Sequence, residues 1–289
     1  MDKIKVARSS FLAAIGLTGF KLVVGLSTGS LGIISEAIHS GFDLVAAFMT
    51  LLAVRVSDKE PDREHQFGHG KFENLSALME TFLLVLTCVW IVYEASHRLL
   101  TGKLDIEVNA WSYSVVAVAI LVDYSRSRAL FKAAKEFNSQ ALEADALHFS
   151  SDIFSSAVVL VGLVCYAFDI KVADSIASMI VALIVLGVSW RLGKRSVSVL
   201  VDRAPEGVAQ KIEKLLESYG EVEKVEDLRV RSAGAEVIVE MTIESNPSLS
   251  FEAAHELSDR IENEIKLAIP RARVHVHMEP SGHDKNGSN

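Results

Sequence analysis

Long apolar runs fill the first 200 residues of this 289-residue chain, and they constrain its fold more than any other feature. A helix crosses a bilayer core with about 20 mostly apolar residues. Six stretches approach that length, and each predicts a membrane-spanning helix. They lie at residues 9–28, 32–56, 74–99, 110–131, 141–168 and 172–199. Lys21 interrupts the first run and no small-residue cleavage site follows it, which favours a span over a cleaved signal sequence.

The last ninety residues have the pattern of a small soluble domain. Polar and apolar residues alternate over 236–241, as they do in a strand with one buried face. Helix, strand, strand, helix and strand are predicted at residues 206–218, 224–231, 235–243, 250–268 and 272–278. The predicted fold class is therefore an α-helical membrane protein with six transmembrane helices, followed by a small cytoplasmic α+β domain of order αββαβ.

Charge also divides the chain near residue 200. Residues 1–200 hold 18 Lys and Arg against 19 Asp and Glu, whereas residues 201–289 hold 11 against 18, a net charge of −7. An acidic domain repels nucleic acid and attracts cations, so no nucleic-acid partner is expected. The predicted domains are a transport domain, a cytoplasmic domain and a flexible tail, at residues 1–203, 204–281 and 282–289.

Lys and Arg predict the orientation in the membrane, because short loops rich in them stay cytoplasmic. They cluster before span one, between spans two and three, between spans four and five, and after span six. The opposite side holds only Arg98, Lys103 and Lys171. Both termini are therefore expected in the cytoplasm.

Two spans carry the same pair of ionisable residues at bilayer depth. Span two holds His39 and Asp43, and span five holds His148 and Asp152, each pair spaced H-x-x-x-D. Four residues advance about 6 Å and return to nearly the same helix face, so each helix presents an imidazole and a carboxylate together. Charged groups in the bilayer are costly and mark function. Two nitrogens and two oxygens at one depth suit a tetrahedral Zn²⁺ site, whereas the alternative is two independent structural hydrogen bonds.

The loop between spans two and three holds a second group of ligand types. Asp62, His65 and His69 lie within eight residues, and Gly68 and Gly70 permit a tight turn. This group predicts a metal site at the membrane surface, and the alternative is a solvated polar loop.

A third group lies in the soluble domain, where His275 and His277 share a strand face. The whole group comprises Glu240, His255, His275, His277 and Glu279. Scattered histidines of a soluble domain are often ordinary surface residues. Seven of the nine histidines nevertheless fall in the three groups, so metal binding explains more of them.

Two further acids, Glu80 in span three and Asp123 in span four, are also predicted at bilayer depth. For both, a hydrogen bond between helices is expected.

Several of the candidate ligands, among them both H-x-x-x-D pairs, lie in motifs that resemble those of the cation diffusion facilitator family. The motifs are T-G-S-L-G, H-S-G-F-D, F-G-H-G-K, A-D-A-L-H-F-S-S-D and L-V-D-R-A-P, and the resemblance runs from about residue 9 to 280. It implies a homodimeric exporter of divalent metal whose transport site is the two H-x-x-x-D pairs. It also implies the loop site, a metallochaperone-like cytoplasmic domain that dimerises, and an ionic interlock between Lys71 and Asp202.

The function expected from the sequence is a proton-coupled antiporter that exports divalent cations, with Zn²⁺ favoured. Protons and metal compete for imidazole and carboxylate, so a pH gradient can drive exchange. No cofactor beyond the transported or regulatory metal is expected, and the predicted setting is the lipid of a bacterial inner membrane. An intramembrane metalloenzyme would need a general base beside an open coordination position, and H-E-x-x-H is absent. The alternatives are a membrane-anchored metal sensor, or export mainly of Fe²⁺, Mn²⁺, Co²⁺ or Cd²⁺.

Overall fold

The computed structural model describes residues 2–29, 31–101, 110–167 and 173–282. The chain divides into two compact units, Met1–Val197 and Ser198–Asn289. The predicted fold class is confirmed, because long helices form the first unit and a small α+β domain forms the second. Most of the predicted flexible tail, at residues 283–289, lies outside the described residues.

The described residues of the first unit form six long helices. They are α1 (Lys3–Thr28), α2 (Leu31–Ser57), α3 (Lys71–Thr101), α4 (Ala110–Phe137), α5 (Gln140–Ala167) and α6 (Ala173–Leu200). Within the described residues, four segments are long and apolar enough to cross a membrane: Lys3–Thr28, Glu36–Ser57, Lys71–Thr101 and Ser175–Leu200. The crossing of α4 and α5 stays a prediction.

Small residues let the first helices pack closely. Gly29 ends α1 with a φ of 66°, a left-handed conformation that glycine adopts at little cost, and α2 begins at Leu31. A Cβ atom on Gly25 would lie 3.0 Å from Cγ1 of Ile34, so a larger residue there would separate the two helices. Alanines including Ala14, Ala47 and Ala146 continue this core through α1, α2, α4 and α5.

One buried carboxylate joins several helix ends at the start of α3. Glu73 accepts hydrogen bonds from Nζ of Lys3 at 2.8 Å and from Oγ of Ser57 at 2.7 Å. Oγ of Ser139, just before α5, also donates to it. The beginnings of α1, α3 and α5 and the end of α2 are therefore tied at one place.

The second unit is a three-stranded sheet covered by two helices. Its elements are α7 (Val208–Leu216), β1 (Val222–Ala233), β2 (Glu236–Ser245), α8 (Phe251–Ala268) and β3 (Ala272–Pro280). The strand order is β1-β2-β3, with β1 antiparallel and β3 parallel to β2. A parallel pair needs a crossover, which α8 supplies. The predicted order αββαβ is confirmed.

Alternation along β2 defines the two faces of this sheet. Val239, Met241 and Ile243 are buried in one cluster with Leu257 and Ile261 of α8. Ser250 caps α8, because its Oγ accepts a hydrogen bond from the backbone amide of Ala253 at 3.2 Å. Residues that alternate with the buried ones of β2, and with the partly buried ones of β3, lie on the opposite face of the sheet, away from this helix.

Candidate metal-binding sites

Three of the four residues predicted for the transport site meet between α2 and α5. One ligand atom from each of Asp43, His148 and Asp152 lies within 4.8 Å of the others. Nε2 of His148 is 3.0 Å from Oδ1 of Asp43 and 3.9 Å from Oδ2 of Asp152. Asp43 and His148 are buried, although 105 positions separate them in sequence. This group is therefore assembled by the packing of helices against each other and not by a local turn of the chain.

His39 lies at the edge of the group. Its Nε2 is 4.0 Å from Oδ1 of Asp43, and its side chain is 42% exposed. It falls outside the three residues whose ligand atoms gather within 4.8 Å. A four-ligand site that includes His39 therefore stays a prediction, and it requires this imidazole to move toward Asp43.

The arrangement lets a proton and a metal ion occupy the same position. With a proton on Nε2, His148 donates a hydrogen bond to Asp43. With that proton removed, the same nitrogen can bind a cation that both carboxylates also contact. Because metal requires the deprotonated ring, binding of metal releases a proton from the imidazole.

A second layer of buried polar groups lies beside this site, and sequence reasoning foresaw only part of it. Glu80 of α3 accepts hydrogen bonds from the hydroxyl groups of Thr50 and Ser76, and the one from Thr50 of α2 confirms the expected bond between helices. Asp145 of α5 accepts one from Ser10 of α1 at 3.2 Å. Asp145 immediately follows the buried Ala144, a position at which the sequence pattern gave no separate signal.

The expectation for Asp123 was wrong. Its partner is Arg126 of the same helix, at 3.2 Å between Oδ1 and Nη1, since residues three apart lie on one helix face. Arg126 also donates hydrogen bonds to Ser10 of α1 and lies 3.4 Å from the ring centroid of Phe149. Among the described residues, the contacts between helices here come from the guanidinium group of Arg126 and not from the carboxylate.

The loop between α2 and α3 brings all three of its predicted residues together. Asp62 lies 3.4 Å from Nδ1 of His65 and 3.3 Å from Nε2 of His69, and the ligand atoms all lie within 4.8 Å. Oδ1 of Asp62 accepts hydrogen bonds from the backbone amides of His65 and Glu64. The bond from His65 is the largest cause that holds the pKa of Asp62 below its ordinary value. Gly68 turns the chain with a φ of 85°.

The third group is more dispersed. Glu240 of β2 is the register partner of His275 of β3, and Nε2 of His277 is 3.4 Å from Oε1 of Glu279. His255 is exposed on α8, across the sheet from these strand residues. Among the described residues, this group does not gather three ligand atoms within 4.8 Å. A metal site here stays a prediction.

The predicted interlock pairs residues of different units. Lys71 begins α3, and Asp202 follows α6. Oδ1 of Asp202 is 3.4 Å from Nη1 of Arg231 in its own unit. The pairing of Lys71 with Asp202 stays a prediction.

Apolar helices with a histidine and two carboxylates gathered between them, together with an acidic α+β domain, are features of membrane transporters for metal cations. Comparison with known protein families identifies the family within this class. Residues 7–201 match the cation efflux transmembrane domain, and residues 204–281 match the cytoplasmic domain of cation efflux proteins. The chain therefore belongs to the cation efflux family, the cation diffusion facilitators that its motifs resemble. It is an integral membrane transporter that exports divalent cations, and its family is one of transporters and not of enzymes.

Similar proteins span nearly the whole chain. An uncharacterized transporter of Methanocaldococcus jannaschii is 33% identical, over 92% of this chain and 95% of its own length. The cation-efflux pump FieF of Shewanella oneidensis is 30% identical, with coverage of 95% and 93%. The manganese efflux system protein MneS of Bacillus subtilis is 26% identical, with coverage of 96% and 97%.

Proposed function

We propose that this transporter exchanges cytoplasmic Zn²⁺ for external protons at the site formed by Asp43, His148 and Asp152, with His39 as the fourth ligand. One observation carries the proposal: a single nitrogen, Nε2 of His148, faces two carboxylates between two helices. A proton or a metal ion satisfies these groups, and both together cannot occupy the same nitrogen. Exchange of one for the other follows from that competition.

The transport cycle uses the difference between the two sides of the membrane. Facing the cytoplasm, the site loses its proton and binds metal. Facing a more acidic exterior, the imidazole is protonated and the metal leaves. Rocking of the helices around this fixed site supplies alternating access.

The working unit in this proposal is a homodimer in a bacterial inner membrane, with both termini in the cytoplasm. The Lys and Arg distribution supports that orientation, and the acidic domain then faces the cytoplasmic cation pool. Metal at the loop group and at the strand histidines tunes transport by changing the dimer, and the transported ion does not pass through either group.

Purified protein in sealed proteoliposomes tests the exchange. An acidic interior imposed on the vesicles should accelerate Zn²⁺ uptake, because protons leave as metal enters. Uptake driven by the metal gradient alone should acidify the outside. Flux that ignores an imposed gradient would show facilitated diffusion, and absence of flux with intact metal binding would support a membrane-anchored sensor.

Manganese is the second candidate for the transported ion. A relative of similar length is a manganese efflux protein, and two of the three gathered ligands are carboxylates, which suit Mn²⁺. Measuring uptake of one ion in the presence of the other, in the same vesicles, decides between Zn²⁺ and Mn²⁺. Fe²⁺, Co²⁺ and Cd²⁺ serve as further competitors. Uptake of Mn²⁺ that excess Zn²⁺ does not inhibit would favour manganese.

A further inference from the structure

A buried ammonium group lies on α1, outside the proposed ligand set. The side chain of Lys21 is 6% exposed. Its Nζ donates hydrogen bonds to Oγ of Ser40 at 2.7 Å and to Oε2 of Glu36 at 3.2 Å. Thr18, on the same face of α1, donates to the backbone oxygen of Ser40 at 2.9 Å. Lys21 is therefore held against α2 by more than one contact.

This ammonium lies beside the proposed transport site. Ser40 is three residues before Asp43, so the two lie on neighbouring positions of one helix face. Because Nζ of Lys21 donates to Oγ of Ser40, the ammonium lies about one helix turn from Asp43 of the proposed ligand set. Its ion-pair partner is Glu36, an earlier residue of the same helix.

We infer that Lys21 is a built-in counter-cation of the transport site, a positioning residue that weakens metal binding and speeds metal release. This inference rests on the proposed function of Asp43. When metal leaves, the ammonium partly compensates the buried carboxylates, so the empty site is stabilised. When a divalent ion binds, the ammonium repels it, and in a poorly hydrated interior that repulsion is much stronger than in water.

The competing explanation is that Lys21 only crosslinks α1 and α2. A crosslink would affect stability through the hydrogen bond to Ser40, with no specific effect on the metal. A counter-cation acts through charge, so its effect should survive loss of that hydrogen bond. The side chain of Glu36, the other partner of Lys21, is 55% exposed, so removal of the lysine leaves no carboxylate of this pair enclosed within the helix bundle.

Zn²⁺ flux in proteoliposomes distinguishes the two explanations. Lys21→Met should lower the half-saturating Zn²⁺ concentration about tenfold and also lower the maximal rate, because the ion binds more tightly and leaves more slowly. Lys21→Arg keeps the charge and should restore both values toward the wild type. Ser40→Ala removes the hydrogen bond but keeps the charge, so it should leave the half-saturating concentration within about twofold of the wild type.

An Asp43→Ala variant measured in parallel tests the proposed transport site separately from the role of Lys21. Persistent flux in Asp43→Ala overturns the proposed site. Lost flux in Asp43→Ala, combined with an unchanged half-saturating concentration in Lys21→Met, overturns only the role of Lys21. A Ser40→Ala variant that behaves like Lys21→Met would identify a structural crosslink and also overturn it. If Lys21→Met fails to assemble, Lys21→Gln gives the same comparison with a neutral polar side chain.

Discussion

The buried group at Asp43, His148 and Asp152 and the loop group at Asp62, His65 and His69 each gather three ligand atoms within 4.8 Å, but they are built differently. The buried group depends on two helices whose contributions lie 105 positions apart. The loop group lies within eight residues, and Asp62 is held by adjacent backbone amides.

The two groups should therefore respond differently to loss of a ligand. Inside the bundle, a missing carboxylate cannot be replaced by bulk water, so the remaining charges stay unbalanced. In the loop, water replaces a missing ligand at little cost. We therefore expect all-or-none effects from the buried group and graded effects from the loop group.

The strongest effect should be loss of transport on replacement of either carboxylate between α2 and α5. Asp43→Ala and Asp152→Ala should each abolish Zn²⁺ flux in proteoliposomes, while the dimer remains folded by size-exclusion chromatography. Asp62→Ala, the matched loss of a carboxylate from the loop group, should retain flux. Undiminished flux in either buried variant contradicts the assignment of the transport site.

A change of ion preference is the next largest effect. His39→Asp replaces a borderline nitrogen ligand with a hard oxygen, so transport should persist but favour harder ions such as Mn²⁺ relative to Zn²⁺. The ratio of Mn²⁺ flux to Zn²⁺ flux in one vesicle preparation measures this ion preference. An unchanged ratio would mean that His39 does not contribute to selectivity, in keeping with its position at the edge of the group.

Smaller effects are expected from the loop and from the cytoplasmic domain. His65→Ala and His277→Ala should each shift the half-saturating metal concentration and leave a measurable maximal rate. Asp62→Asn serves as a control, because the amide oxygen can still accept the hydrogen bonds from Glu64 and His65 while the charge is lost. Complete loss of transport in correctly folded His65→Ala would show that the loop is on the ion's path.

The smallest effect concerns Lys71 and Asp202. An exposed ion pair contributes only about 0–1 kcal/mol, and a partly shielded one contributes more. If they pair, Lys71→Ala and Asp202→Ala should each slow transport or weaken the dimer, and the double variant should cost less than the sum. Strictly additive effects in this cycle would contradict the pairing of Lys71 with Asp202, and Arg231 would remain a partner of Asp202 within its own unit.

Hydropathy predicted the six helices but not their ends. The apolar run of the first span begins near residue 9, whereas α1 begins at Lys3, with Asp2 as its N-cap. Similarly, α4 continues to Phe137, beyond the predicted end at residue 131. Apolar residues report the width of a bilayer, and a helix that extends past that width continues through charged residues that hydropathy scores as loop.

The candidate sites were predictable where the spacing of residues along the sequence determines their arrangement in space. The i, i+4 pairs and the short loop follow from local backbone rules, so sequence alone identified them. The roles of Asp145, Lys21 and Arg126 depend on which helix faces meet, and a single sequence does not encode that adjacency in its spacing. The structure was needed to place Arg126 against Ser10 and Phe149.

The hydrogen bonds to Glu73 hold one end of several helices together, so any tilt of these helices would displace mainly their far ends. A helix held at Ser57 pivots about that end, and displacement grows with distance from the pivot. Asp43 lies 14 residues from Ser57, about 21 Å along the helix, so a tilt of about 5° would move it by about 2 Å. That displacement is enough to make or break a metal–ligand bond, which is about 2 Å long. A small tilt of α2 about its end at Ser57 would therefore be enough to change the coordination of an ion bound at Asp43.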